Sequence, residues 1–240
     1  MIRFVYFDLD DTLLDHRAAE RAALADLHAG HPEIGRHDLG HVQATYHGEN
    51  APLWAAFARS EVTAAELQHL RFRRTLDRLD ARLDADAVGA VYLEHYARHW
   101  VWIDGARDAF LDTARRLPVG ILTNGFEAQQ VAKLARFPEI AEAAAAVVIS
   151  ERVGVQKPHP AIFAHAREAA SGAVGADLAP AEILYVGDSL SSDVRGGRGA
   201  GWPVVWLGGD AGHEAVDDDG VEEMATWAMW PRCLDAIGRR

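Results

Sequence analysis

At 240 residues, the chain is long enough for one large domain or for one domain that carries an insertion. Hydrophobic residues make up 49% of the sequence, which is enough for a substantial core, but no apolar run reaches the length of a transmembrane helix. The formal net charge of -12 argues against a nucleic-acid partner, because a polyanion needs a basic stripe, whereas a small anion needs only a local positive site.

Cysteine and lysine are both scarce. The one cysteine, Cys233, excludes an intrachain disulfide, and the first residues carry no signal-peptide pattern, so a cytoplasmic location is expected. Only two lysines, Lys133 and Lys157, occur among many arginines. A GC-rich genome, in which arginine replaces lysine, accounts for that bias. A lysine that is present in spite of the bias can mark a position where a compact point charge is required.

The first predicted element is a strand that ends in a cluster of carboxylates. The apolar run from Phe4 to Phe7 is typical of a buried parallel strand, and Asp8, Asp10 and Asp11 follow it. If the strand continues, Asp8 and Asp10 point to the same face; if it breaks after Asp8, Asp10 lies in the first loop and curls back over the strand end. Neighbouring carboxylates raise one another's pKa unless a cation lies among them, although an ordinary helix N-cap would also explain these residues.

Residues 15–100 show an almost entirely helical pattern. Apolar residues recur at a spacing near 3.6, Gly30 and the segment Gly48–Asn50 interrupt the pattern, and Thr63 with Glu66 forms a capping box. We therefore expect an all-helical module. The predicted helices are Arg17–His28, Leu39–Tyr46, Pro52–Arg59, Thr63–Leu79 and Asp86–Trp100.

After Gly105, helices and strands alternate, which is typical of a parallel sheet with right-handed crossovers. Because the N-terminal strand must join this sheet, we expect an α/β fold with a doubly wound parallel sheet formed by residues 1–14 and 101–240, and residues 15–100 inserted as a helical cap. The predicted strands are Pro118–Leu122, Ala146–Ser150, Ile183–Val186 and Val204–Leu207. The predicted helices are Ala106–Arg116, Ala128–Arg136, Pro160–Ala170, Ser192–Gly199 and one within Trp227–Ile237, which follows an acidic loop at Asp210–Glu222.

Polar groups follow three further strands of the predicted sheet. The segment Thr123–Gly125 offers a hydroxyl, an amide and a tight backbone turn, Lys157 follows the next strand, and Asp188 and Asp193 follow another. Each feature is common by itself. Because all of them stand at carboxyl ends of parallel strands, together with Asp8, we expect one site at that edge of the sheet.

This set of segments resembles the haloacid dehalogenase superfamily in its phosphohydrolase branch, and the helical insertion matches that family's cap position. The resemblance covers nearly the whole chain. Within the superfamily, the sequence is most similar to the pyrimidine 5′-nucleotidases, the house-cleaning nucleotidases. The superfamily segments are specific as a set, and the subfamily likeness rests on fewer residues, in the stretches Ala51–Trp54, Leu67–Phe72, Ile121–Phe126 and Val148–Pro158.

The resemblance implies a phosphomonoester hydrolase in which Asp8 is the nucleophile and becomes an aspartyl-phosphate. It implies that Asp10 protonates the leaving alcohol oxygen and then takes a proton from the attacking water. Relatives that are 2-haloacid dehalogenases have a non-acidic residue at this position, because a halide leaving group needs no proton. Asp10 therefore favours a phosphatase.

The resemblance also implies Mg²⁺ in an all-oxygen site made by Asp8, Asp188 and the backbone carbonyl of Asp10. Asp193 would bind the metal, directly or through water, or hold its neighbours in place. Lys157 would offset the negative charge of Asp8 and of the phosphoryl group. The residues expected to hold the other phosphate oxygens are Thr123, Asn124 and Gly125.

Substrate choice is expected to come from the helical cap. Trp54 and Arg71 are candidates for base stacking and polar contact, and Phe126 for an apolar contact at the mouth of the site, although aromatic residues at helical spacing more often belong to a core. The expected partner is a small phosphorylated metabolite, first a pyrimidine nucleoside monophosphate. Phosphatases of sugar phosphates, acylneuraminate 9-phosphate or phosphoglycolate stay open as alternatives, as does a receiver-like phosphate-binding module, and both a monomer and a homodimer are compatible with the sequence.

Overall fold

The structure is a computed structural model that describes residues 1–208 and 220–233. It divides into two units, one formed by Met1–Asp15 with Trp102–Arg240 and the other by His16–Val101. Within the described ranges, no helix combines the length and the apolar character that a membrane span requires.

The first unit is built on a six-stranded sheet whose paired strands all run parallel. The strands are β1 (Phe4–Phe7), β2 (Val119–Thr123), β3 (Ala144–Ile149), β4 (Ile183–Gly187), β5 (Val204–Trp206) and β6 (Val221–Glu223). Their order in the sheet is β3-β2-β1-β4-β5-β6. This order confirms the predicted α/β class with a doubly wound parallel sheet.

Strand β1 lies in the middle of the sheet, with β2 on one side and β4 on the other. Val5 faces Val119 of β2 and Leu184 of β4 across the two ladders. All four β1 residues are fully buried, as their continuous apolar run predicts for a strand that is covered on both faces. The carboxyl ends of β2, β1 and β4 are therefore neighbours, and the polar segments that follow them share one edge of the sheet.

The second unit is all helical. Its helices are α1 (His16–Gly30), α2 (Pro32–Gly35), α3 (Leu39–Ala58), α4 (Ala64–Arg78) and α5 (Ala85–Arg98). Helix α4 begins with the predicted capping box, in which the Thr63 side chain accepts from the Glu66 amide and the Glu66 side chain accepts from the Thr63 amide.

One prediction for this unit is wrong: a single helix replaces the two expected at Leu39–Tyr46 and Pro52–Arg59. Helix α3 runs through Gly48–Asn50 and carries Pro52 in its interior. Its buried residues Val42, Tyr46, Asn50 and Leu53 recur every three or four positions. Continuous packing along that face outweighs the local cost of glycine and of the N–H group that Pro52 lacks.

The helices of the first unit flank the sheet. They are α6 (Ala106–Ala114), α7 (Glu127–Arg136), α8 (Pro138–Ala143), α9 (Ser150–Val153), α10 (Pro160–Val174) and α11 (Arg195–Gly199). Three short elements, α8, α9 and the strand β6, were not predicted. Helix α8 takes the first part of the Ala-rich run at 141–146, whose second part begins β3, and β6 occupies Val221–Glu223, where an acidic loop was expected. The other residues of that expected loop up to 219, and the part of the terminal helix after 233, lie outside the described residues.

Candidate active site

The loop after β1 carries the first two carboxylates. Strand β1 ends at Phe7, although the Asp8 amide still donates to a β4 carbonyl oxygen at 2.8 Å. Two amides four and five residues after Leu9 donate to its carbonyl oxygen at 3.0 and 2.9 Å, and Asp11 has a φ of 56°. Aspartate tolerates this left-handed conformation better than most residues. Asp10 is therefore carried by a tight turn and not by the strand, the second of the two expected arrangements.

A buried lysine joins two of the carboxylates beneath this turn. Lys157 Nζ lies 2.8 Å from Asp8 Oδ1 and 2.8 Å from Asp193 Oδ1. It also donates to the Tyr185 hydroxyl at 2.7 Å and to the Leu122 carbonyl oxygen at 3.1 Å. Burial by itself would lower the pKa of Lys157, but the Asp193 and Asp8 carboxylates outweigh burial and raise the pKa. Lys157 is therefore a fixed cation beside Asp8.

Asp188 forms an acidic cluster with Asp8 and Asp193. One oxygen each from Asp8, Asp188 and Asp193 lies within 4.8 Å of the others. Burial, and then the negative charges of Asp193 and Asp188, raise the pKa of Asp8 well above its ordinary value, against the opposing effect of Lys157. A cluster of oxygen donors with excess negative charge fits a hard divalent cation such as Mg²⁺. The residues present therefore suit the metal that the sequence predicts.

Asp193 is the most enclosed member of the cluster. Its side chain is fully buried, its Oδ2 accepts from the Ser189 amide at 2.9 Å, and its Oδ1 takes the contacts with Lys157 and Tyr185. A Cβ at position 187 would collide with this carboxylate, so the glycine at the end of β4 makes room for it. Both oxygens of Asp193 are thus held by the protein, and its role towards a metal stays a prediction.

The polar groups at the end of β2 and directly after it form hydrogen bonds with other groups of the protein. The Asn124 side chain accepts from the Lys157 amide at 2.8 Å and donates to the Lys157 carbonyl oxygen at 3.0 Å, which fixes the backbone of that lysine. Thr123 is only 1% exposed and its hydroxyl accepts from Gln130 at 2.9 Å, and the Gly125 amide donates to Ser150 Oγ at 3.1 Å. Phosphate contacts by Thr123, Asn124 and Gly125 stay a prediction.

Two residues of helix α7 hold the Asp10 carboxyl group. Lys133 Nζ lies 2.6 Å from Asp10 Oδ1 and 2.8 Å from Oδ2, and Gln130 Nε2 donates to Oδ2 at 2.9 Å. The Lys133 side chain is 2% exposed, whereas that of Asp10 is 24% exposed. Asp10 thus remains accessible at the edge of the site while two buried groups fix its position.

The predicted substrate-contacting residues differ in their surroundings. Phe126 is 3% exposed and precedes the first turn of α7, so it is more buried than a residue at the mouth of the site is expected to be. In the helical unit, Trp54 is half-buried and packs its ring edge against Phe57. Arg71 is 5% exposed and lies over the rings of Phe72 and Tyr92. Contact of Phe126, Trp54 or Arg71 with substrate stays a prediction.

Three residues of the site were not predicted from the sequence as participants. Tyr185 is part of an apolar strand, so nothing in the pattern distinguishes its hydroxyl from a core tyrosine. Gln130 and Lys133 lie three residues apart on one face of α7, next to the buried Leu134. The scarcity of lysine did single out Lys133, and a polar pair on the apolar face of a helix was the signal that could have assigned it a role.

A family model described as haloacid dehalogenase-like hydrolase matches residues 2–201 of the chain. Among curated proteins, the pyrimidine 5′-nucleotidase YjjG of Escherichia coli is 30% identical over 184 residues, which cover 77% of this chain and 76% of YjjG. The pyrimidine 5′-nucleotidase PynA of Streptococcus pneumoniae is 30% identical over 209 residues, which cover 85% of this chain and 83% of PynA.

Among solved structures, YfnB of Bacillus subtilis, crystallised with bound magnesium, superposes with a TM-score of 0.79 at 27% identity. The match covers 98% of this chain and 99% of that one. The similarity therefore extends over both units of the chain.

Proposed function

Because the chain belongs to the haloacid dehalogenase-like hydrolases, and its relatives include phosphatases, we propose that it is a magnesium-dependent phosphomonoesterase that acts on pyrimidine nucleoside monophosphates. The observation that carries the proposal is the position of Asp8. Its carboxylate lies 2.8 Å from the Lys157 ammonium and within 4.8 Å of two further carboxylates, at the carboxyl end of the central strand. We also propose that the protein is cytoplasmic.

In the first step, an Asp8 oxygen attacks phosphorus, and the bond from phosphorus to the leaving alcohol oxygen breaks. Asp10 enters this step as a carboxylic acid, gives its proton to that oxygen and is left as the carboxylate that pairs with Lys133, so the alcohol leaves neutral. In the second step, water attacks the phosphorus of the aspartyl-phosphate, Asp10 takes a proton from the water, and inorganic phosphate leaves Asp8 as a carboxylate.

The other residues of the site would bind the metal, supply positive charge and keep the reacting groups in position. Asp8, Asp188 and the Asp10 carbonyl oxygen would hold Mg²⁺, which supplies positive charge to the phosphoryl oxygens and to Asp8. Lys157 adds a fixed cation that needs no rearrangement during the reaction, and Asp193 keeps that cation in place. Because Asp10 can donate a proton to an alcohol, the site fits a phosphate ester better than a halide substrate.

The preference for a pyrimidine nucleotide is supported by the two nucleotidases among the relatives. Trp54 and Arg71 of the helical unit are our candidates for contact with the base. A panel of dUMP, dTMP, UMP, AMP, acylneuraminate 9-phosphate and phosphoglycolate tests this preference. The highest kcat/KM on dUMP, dTMP or UMP supports it, and a higher value on one of the other esters assigns the enzyme to that substrate class instead.

The general activity is tested by magnesium-dependent cleavage of p-nitrophenyl phosphate. The Asp8→Asn variant should lose about 10³-fold or more in kcat, because the amide cannot act as the nucleophile. Its melting temperature should stay close to that of the wild type, since asparagine has the shape of aspartate. Retained turnover in a folded Asp8→Asn protein would remove Asp8 as the nucleophile, and a wild-type protein inert on every ester would favour the phosphate-binding module.

A further inference from the structure

The Asp10 side chain is fixed by groups that come from outside its own turn. Both of its oxygens lie within 2.8 Å of Lys133 Nζ, and Oδ2 also accepts from Gln130 Nε2. The two donors come from α7, which follows β2, and they stand 120 and 123 positions after Asp10 in the sequence. The contact therefore joins the loop after the central strand to the helix that follows the neighbouring strand.

The helix presents this pair from a buried face. Lys133 is 2% exposed, although a lysine side chain loses much conformational freedom when it is immobilised and its charge is costly to bury. A buried cation of this kind needs a carboxylate partner, and Lys133 forms an ion pair with Asp10. Lys133, one of the two lysines in the chain, is thus placed in direct contact with the Asp10 carboxyl group.

Gln130 is also buried, and its Nε2 atom has several partners. It is 1% exposed, and the same Nε2 atom that reaches Asp10 lies 2.9 Å from the Thr123 hydroxyl and 3.3 Å from the Asn124 carbonyl oxygen. A Cβ at Gly125 would lie 2.6 Å from this nitrogen, so the glycine allows the amide to approach the end of β2. Gln130 therefore ties the position of Asp10 to the residues that follow β2.

We propose that Lys133 and Gln130 are positioning residues that set the direction of the Asp10 carboxyl group for proton transfer. The proposal rests on the proposed function, in which Asp10 exchanges a proton with the leaving alcohol and with water. A carboxyl group on a turn can rotate about its side-chain bonds, and two fixed donors remove that freedom. Correct orientation of a proton-transfer group is worth orders of magnitude in rate, so its loss should appear mainly in kcat.

The test is a double-mutant cycle between Lys133→Met and Asp10→Asn, with kcat and KM measured on a nucleoside monophosphate. Asp10→Asn alone should lower kcat by about 10²-fold or more. Lys133→Met alone should lower kcat by about tenfold or more, with KM changed by less than about threefold. In the Asp10→Asn background, Lys133→Met should lower kcat by less than about twofold, because the group that it positions is already lost.

The matched control is Arg136→Met, which removes a cation from an exposed position of the same helix and should leave kcat unchanged. If Lys133→Met does not fold, as judged by thermal melting, Gln130→Leu takes its place in the same cycle. Equal losses of kcat in both backgrounds would mean a merely structural role and would overturn the proposal, as would wild-type kcat in Lys133→Met.

The cycle also separates this proposal from the proposed function. A slow Asp10→Asn variant together with a wild-type-like Lys133→Met variant refutes the positioning role alone. Full activity in Asp10→Asn refutes the role of Asp10 in proton transfer, and the positioning role is then refuted with it.

Discussion

The Tyr185 hydroxyl lies between the Lys157 ammonium group and the Asp193 carboxylate. It accepts from Lys157 at 2.7 Å and is 3.0 Å from both Asp193 Oδ1 and the Leu122 carbonyl oxygen. Burial, and then the negative charges of Asp193 and Asp8, raise the pKa of Tyr185 well above its ordinary value, so the phenol keeps its proton. A protonated phenol can donate to one of these oxygens while it accepts from Lys157.

Tyr185→Phe should destabilise the protein and also slow the reaction. Removing the hydroxyl leaves buried polar groups without one partner, which costs about 1–3 kcal/mol in the free energy of unfolding, and kcat should fall about tenfold as Lys157 loses a contact. Urea unfolding and steady-state kinetics measure the two effects. Tyr6→Phe is the matched control, because its hydroxyl donates at 2.7 Å to the Ala166 carbonyl oxygen, away from the cluster. The control should lose stability only, and an equal loss of kcat in both variants would contradict the role of Tyr185.

Magnesium affinity should depend on pH through Asp8. Because the pKa of Asp8 is raised without the metal, the metal-free protein holds a proton there in a pH range where an ordinary aspartate is ionised. Mg²⁺ must displace that proton, so its affinity should rise with pH until the raised pKa is passed, by up to about tenfold per pH unit. Calorimetry at a series of pH values above the ordinary pKa of an aspartate, in two buffers of different ionisation enthalpy, measures the affinity and the protons released.

In the same calorimetric experiment, Asp8→Asn should abolish the proton release and flatten the pH dependence. Constant affinity in the wild type, with no proton released, would show that Asp8 is already ionised before the metal binds.

At the level of elements, the end of each core strand was predictable because hydrophobic runs stop where polar residues begin. The strands at Val119–Thr123 and Ile183–Gly187 lie within one residue of their predicted bounds. Helix α3 was not predictable as one element, because glycine and proline weaken the local preference while the packing that restores the helix depends on residues distant in sequence. The side-chain contacts of Gln130 and Tyr185 were not predictable either, because their partners are also distant in the sequence.

Strand β2 depends on a glycine for its place in the sheet. A Cβ at Gly120 would lie 2.5 Å from the Tyr6 ring of β1 and 2.9 Å from the Ala146 carbonyl oxygen of β3, the two strands beside β2. Gly120→Ala should therefore lower the free energy of unfolding by about 1–3 kcal/mol, through overpacking.

Urea unfolding of Gly120→Ala beside Gly172→Ala checks this prediction. Gly172 lies in helix α10, where a Cβ would meet no atom of the described residues within 4 Å beyond the helix's own backbone. Alanine at this position should therefore raise stability by about 0.5–1 kcal/mol. Equal effects of the two substitutions would contradict a steric role for Gly120.

At the level of the whole molecule, the net charge of -12 opposes the approach of an anionic substrate to a site that contains local cations. Salt screens the long-range repulsion more than the contacts inside the pocket, because the Debye length is about 10 Å at 0.1 M. With saturating Mg²⁺, raising NaCl from about 10 to about 150 mM should increase kcat/KM by about two- to threefold and leave kcat unchanged. A fall in kcat/KM would show that attraction by the local cations dominates the approach.

Both lysines of the chain are buried in the described structure, and each is ion-paired to an aspartate after the central strand. The folded protein therefore hides every ε-amino group from acylating reagents. Cross-linkers, dyes and enzymatic acyl or ubiquitin transfer directed at lysine would find no lysine side chain on the native surface. Modification of Lys133 or Lys157 would then report that the pocket has opened.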